Sequence, residues 1–223
     1  MYTSKYRNAV VLALALLATT LSGVAAEEDL CAPFKDGKVD ESVLETMLNA
    51  AQEGHLYRME AATSRVGFCV NSKLKRIKGD FHDFQGGMTL SGEGAGEAQA
   101  LVVIRTDSLD TDASPIKNLL KSKSFFDVSR YPEILFVSTG YVWTSSNTGV
   151  LKGNLTLRGI TRPVNFMVTL SDIEDGNSTA GKKILVKATT TINRSAFGMD
   201  TLSTMVSDDV QLCMSVEANK YGA

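Results

Sequence analysis

The stretch VKATTTINRSAFGMDTLSTMVSDDVQLCMSVEA, residues 186–218, decides the fold. In its last third Val210, Leu212, Met214 and Val216 alternate with Gln211, Cys213, Ser215 and Glu217. A strand sends successive side chains to opposite faces, so this pattern predicts a β-strand with one dry and one wet face. An irregular polar segment, Asn193–Ser207, separates it from an earlier run over Lys183–Ile192. Further back, the same period of two marks Val164, Phe166, Val168 and Leu170, and Val66, Phe68 and Val70. Comparable runs lie around Lys78–Leu90, Glu97–Asp107, Glu133–Trp143 and Val150–Arg158. Turn signals fall between them at Gly86-Gly87, Ser91-Gly92-Glu93-Gly94, Ser146-Asn147-Thr148-Gly149 and Glu174-Asp175-Gly176-Asn177. About eight strands joined mostly by short turns imply an all-β antiparallel sheet, and closure into a barrel removes its exposed edges.

Helical signals occur in two places, one within this pattern and one ahead of it. Ser114-Pro115 opens a short stretch whose Ile116, Leu119 and Leu120 share an apolar face. Residues 40–54, DESVLETMLNAAQEG, read as an amphipathic helix with Asp40 as N-cap and Gly54 as stop. Its stripe, Val43, Leu44, Met47, Leu48 and Ala51, predicts packing on the outside of the main domain, where the helix could also recruit a partner. Ahead of it, Lys5 and Arg7 precede an apolar run from Ala9 to Leu21. Small residues follow through Ala25-Ala26, and then Glu27-Glu28-Asp29 turns the chain acidic. That order is the pattern of a cleaved secretory signal, and the run falls short of the roughly 20 residues of a membrane-spanning helix. The predicted organisation is a leader at 1–26, an extension with its helix at 27–55 and a barrel at 56–219, with an exported protein that does not span the membrane.

Several chemistries are disfavoured. The chain carries 23 Lys+Arg against 25 Asp+Glu, a formal net charge of −2, with no basic stripe for nucleic acid. Two histidines and no C-x-x-C pair leave no zinc pattern, so no metal site is expected. His55 and His82 read as surface residues. Neither a G-x-S-x-G nor an H-E-x-x-H motif occurs, and no enzymatic activity and no cofactor of catalysis are expected. Cys31, Cys69 and Cys213 in an exported chain predict one disulfide and one free thiol. The bridge joins either Cys31 to a strand cysteine or Cys69 to Cys213.

The inward phase offers Phe68, Val102, Ile104, Phe136, Leu155, Leu157, Phe166, Val168, Val186, Ile192, Leu212 and Met214. An eight-stranded barrel is wide enough to be filled by side chains or to hold one small ligand. A plain packed core and a cavity for an aliphatic or prenyl chain both fit this lining. Arg194 stands where a strand gives way to the irregular segment. It could donate to a phosphate, carboxylate or quinone carbonyl, or pair with Asp208 or Asp209.

Four ordered segments resemble the YceI-like family. They are IKGDFHDFQGGMTL (77–90), KNLLKSKSFFDVSRYPEILFVST (117–139), LKGNLTLRGITRPVNF (151–166) and the 186–218 stretch, with its I-x-R-x-x-F-G element. The resemblance covers about residues 57–217. It implies a lipocalin-like eight-stranded antiparallel barrel, periplasmic, holding a polyisoprenoid such as an isoprenoid quinone or prenyl phosphate, or a fatty amide. It further implies that Phe125, Phe126, Tyr131 and Pro132 frame the entrance, with Arg194 and Phe197 in the loop beside it. A homodimer is common in proteins similar to this one. The family's usual His-Ser pair is replaced by Thr63-Ser64, and the cysteines and the 40–54 helix are additions. The expected function is a carrier or reservoir for a long apolar lipid. The alternatives are a non-binding envelope stress or interaction protein with a packed barrel, and a lipid isomerase.

Overall fold

A computed structural model describes residues 41–90, 98–173 and 183–221. The leader, Cys31, the Asp40 cap and the turn signals at 91–94 and 174–177 lie outside the described residues. The helices are α1 (Glu41–Gln52) and α2 (Ser114–Lys121). The strands begin with β1 (Leu56–Met59), β2 (Arg65–Ser72), β3 (Arg76–Phe81), β4 (Phe84–Thr89), β5 (Ala100–Arg105) and β6 (Leu109–Asp110). They continue with β7 (Glu133–Trp143), β8 (Thr148–Leu157), β9 (Ile160–Ile173), β10 (Lys183–Asn193) and β11 (Val206–Lys220).

All paired strands are antiparallel, and the sheet closes on itself. Tyr57 of β1 pairs with Lys220 of β11 on one side and Met88 of β4 on the other. β2 follows β1 along the same edge of β11, with Phe68 opposite Leu212, and β3 pairs with β2. Thus β1–β2 and β3–β4 are each one wall strand interrupted by a kink, and the closed barrel has eight strands. The runs that fold this way are those with period two: from β7 to β11, the long strands bury alternate side chains. A tight Arg158-Gly159 turn, both residues at positive φ, joins β8 to β9.

Three expectations need correction here. Gly86-Gly87 is not a turn but part of β4. A Cβ on Gly86 would lie 2.5 Å from both the Leu101 carbonyl oxygen and Met59 Sδ, so glycine is there for close approach at the barrel seam. The buried face of α1 is centred on Met47 and Ala50, while Leu48 is 38% exposed. The helix packs on β1 and β4, and that contact turns the stripe away from Leu48. Finally, among the described residues Cys69 and Cys213 are free thiols and not bridged to each other, while the alternative bridge to Cys31 lies outside the described residues. The two thiols face outward on neighbouring strands, but Cys69 stands opposite Gln211 and Cys213 opposite Gly67. Residues offset by two across a sheet are about 7–8 Å apart, too far for a relaxed disulfide.

Burial pushes the Cys213 thiol above its ordinary pKa, and the Cys69 thiol nearby adds to the shift, partly offset by Arg76. The thiolate is the reactive form. Alkylation of Cys213 at mildly alkaline pH should therefore lag behind that of an exposed free cysteine and catch up as pH rises. Timed iodoacetamide labelling with peptide mass spectrometry checks this, and no Cys69–Cys213 cross-linked peptide should appear in an unreduced digest.

Candidate binding site

The wall is incomplete at one end. β3 runs past the end of β5, where its far edge pairs only with the two residues of β6 among the described strands. That side is filled by α2 and the 122–132 segment. Pro115 starts α2 in its first turn, where the missing N–H has no cost. Lys117 reaches Asp110 of β6 at 3.0 Å, tying the helix to the wall. The Phe126 ring packs on Phe68 and Phe81, each 5.7 Å between centroids, the latter edge-on. Phe125 and Phe126 are buried, so they plug the gap rather than stand open at an entrance. Tyr131 lies beside them, with Arg130 over its ring at 5.3 Å.

Behind this plug the barrel is hollow. A cavity of about 160 Å³ is lined by Phe68, Val102, Ile104, Phe125, Phe126, Phe136, Leu155, Leu157, Phe166, Leu212 and Met214 and by the stem of Arg194. These were all expected from the sequence. The lining also takes in Val66, Val70, Ile77, Phe81, Ile116, Leu119, Leu120, Ile134, Ile192, Met199, Leu202, Val206 and Val210. Eight of these thirteen stand on strands, Val66, Val70, Ile192 and Val210 within the period-two runs, whereas Ile116, Leu119, Leu120, Met199 and Leu202 come from the inserted helix and loop, which carry no period-two signal. Val168 lines a second, smaller space of about 60 Å³ toward the other end of the barrel. Phe197 lines neither and is 2% exposed, a packing residue of the loop.

Val102, Phe136, Phe166 and Met214 border both spaces and form a waist. The Phe136 and Phe166 rings meet edge-to-face there, 5.2 Å apart and at 80°. Two inward glycines keep the rings against the wall. A Cβ on Gly153 would lie 2.5 Å from the Phe136 ring, and one on Gly79 2.5 Å from Phe68. The rings lie flat over glycine instead of crossing the lumen, which is how space survives among so many aromatics.

Arg194 is 3% exposed and serves the loop, not the cavity. Its Nε donates to the Ser207 carbonyl at 3.0 Å, Nη1 to the Met199 and Thr201 carbonyls, the latter at 2.8 Å, and Nη2 to Val206 at 3.1 Å. Nη2 also lies 3.0 Å from Asp208 Oδ1, a charge contact rather than an aligned hydrogen bond. Guanidinium has five N–H groups. Four go to carbonyls and the fifth sits on the nitrogen facing Asp208, so none is left for a ligand head group. The expectation of a charged donor at the entrance is corrected on this count. Of the two carboxylates weighed as partners, Asp208 is the one engaged.

Other polar groups at this end link loops to one another. Arg158 Nη1 donates to the Lys123 carbonyl at 3.1 Å and to that of Phe125, and the Lys73 N–H donates to Met205 at 2.9 Å. His55 and His82 are exposed, 3.7 Å from Glu53 and 3.9 Å from Asp110. Among the described residues no group of His, Cys, Asp and Glu has metal-site geometry, and no helix is long and apolar enough to cross a membrane.

The YceI-like domain model matches residues 57–218, from the first wall strand to the last. The chain belongs to the YceI-like family. A UPF0312 protein of Pseudomonas putida strain W619 is 35% identical over 123 residues, 55% of this chain and 64% of the relative. The aligned part thus spans just under two thirds of that relative's length. Among solved structures, Burkholderia cenocepacia BcnA superposes with a TM-score of 0.65 at 24% identity, covering 72% of this chain and 99% of BcnA. A polyisoprenoid binding domain from Saccharophagus degradans gives 0.54 at 14% identity, over 74% and 98%. Both likenesses carry the fold. In this YceI-like chain the barrel closure, the plug and the cavity all fall within the matched residues.

Proposed function

We propose that this YceI-like protein is a carrier or reservoir for a long apolar lipid of the polyisoprenoid class, held inside the barrel and shielded from water. The observation that carries the reading is the lining. Every described side chain around the larger space is apolar except Arg194, whose donors are engaged within its own loop. Each ligand methylene moved from water into such a site gains about 0.8 kcal/mol, whereas a sugar or nucleotide would leave its polar groups unpaired. Polyisoprenoid is the ligand class named for the Saccharophagus degradans domain of the same fold. Methionines at the waist and under the loop, Met214 and Met199, are side chains that re-pack easily around an irregular chain.

Catalysis is no part of this proposal. General acid–base work needs a positioned titratable group, and the described lining of the larger space supplies only a guanidinium whose donors are engaged within its own loop. Export through the 1–26 leader would place the carrier in the periplasm, where an insoluble lipid needs an escort between membranes.

Native mass spectrometry of the protein purified from its own exported fraction, followed by organic extraction, tests the reading. A bound prenyl or long-chain species, lost on denaturation, is the expected result. An apo mass with no uptake of added ubiquinone would overturn it in favour of a barrel that acts through its surface.

A further inference from the structure

The smaller space beyond the waist holds a polar group with no structural use. Tyr141 is 4% exposed, and its hydroxyl is buried without a hydrogen-bond partner. Its ring lies over Gly149, so close that a Cβ there would sit 2.5 Å from the hydroxyl oxygen. Gly149 stands opposite Val168, itself a lining residue, which puts the hydroxyl on the inward side of the wall, where neighbouring apolar side chains cover it until they shift to admit a ligand. Around it are Met88, Leu151, Val168 and Ala188, and among the described residues Tyr141 is the one lining residue whose side chain carries an oxygen or nitrogen. Burial pushes its phenol above the ordinary pKa, so it stays protonated and able to donate. A single hydroxyl among apolar walls is also a poor host for water, which needs two to four polar partners. Phenylalanine would fill the same volume without an unpaired hydroxyl, and such a group is costly to bury.

We propose that the inner space is a specificity subsite in which the Tyr141 hydroxyl receives the polar end of a lipid threaded head-first past the waist. The group it selects is compact, neutral and oxygen-bearing, such as an alcohol or carbonyl. A carboxylate or phosphate would be buried there without a counter-charge. This rests on the lipid-carrier reading and adds an orientation to it: the oxygen goes in deep, and the hydrocarbon fills the larger space. For the ligand to pass, Phe136, Phe166 and Met214 must shift, and the two rings meet only edge-on.

The test compares hexadecanol and hexadecane on the full chain and on Tyr141→Phe. Trp143, the chain's single tryptophan, stacks edge-on against Tyr141 at 4.6 Å and reports occupancy of the inner space. The expected result is about a tenfold loss of hexadecanol affinity in Tyr141→Phe, from one lost hydrogen bond, with hexadecane unchanged. Hexadecanol should also shift Trp143 emission, and the melting temperature of the ligand-free variant should not fall. Equal loss for both ligands, or none for either, would overturn the subsite and leave the carrier standing. Failure of both ligands to bind the wild-type chain would instead count against the carrier.

Discussion

Arg194→Met should destabilise the protein by about 2–4 kcal/mol, seen as a lower urea midpoint with an unchanged slope. Methionine keeps the apolar stem but removes all donors. Four carbonyls, at 199, 201, 206 and 207, then lose a charged hydrogen bond, each worth roughly 1.5–3 kcal/mol when fully dry. Several of them are only partly buried, so water recovers some of the loss. The ion pair contributes little of the total, because Asp208 is 41% exposed on its side. Asp208→Asn should accordingly cost under about 1 kcal/mol. Arg194→Lys should fall between, since an ammonium keeps the charge but cannot hold four carbonyls in one plane. The competing role predicts a different pattern. If Arg194 bound a ligand head group, Arg194→Met would lower affinity and leave the stability of the free protein nearly intact.

The barrel was legible because its signal is local and repeated. Period-two alternation over β7 to β11 needs no tertiary information, and the four ordered segments placed the chain in its family. The cavity lining was legible wherever strict alternation held, from Phe68 to Met214. Elsewhere that rule failed for identifiable reasons. A bulge between Ser138 and Gly140 shifts the phase of β7, so Tyr141, outward by simple counting from Phe136, turns inward. The residue that carries the subsite proposal was therefore hidden by one extra residue in a strand. The lining from α2 and the loops, such as Leu120 and Met199, depends on how an insertion folds back over the barrel end, which periodicity does not encode. Inward-phased glycines were a signal left unread: Gly79, Gly149 and Gly153 each accept an aromatic ring. A small residue facing a large one across a barrel wall argues for space inside.

Leu155→Trp should weaken lipid binding by roughly thirtyfold while leaving the ligand-free protein as stable as before, or more so. Leu155 lines the larger space next to Phe136, its partner across β7 and β8. An indole there takes volume from two or three ligand methylenes, about 2 kcal/mol of lost transfer energy, which is the stated factor. The stability arm decides more than the affinity arm. In a close-packed core, enlarging a side chain forces neighbours off their rotamers and costs about 1–3 kcal/mol. In a hollow barrel the indole enters free space and gains contacts that the lining lacked. A rise or no change in the urea midpoint thus marks a cavity that evolution has left unfilled, and a fall of that size marks a packed core. Phe166→Trp is the internal control, because it faces Phe136 at 5.2 Å across the waist and has little room to grow. It should cost stability in either case, so only the contrast between the two positions distinguishes a container from a solid barrel.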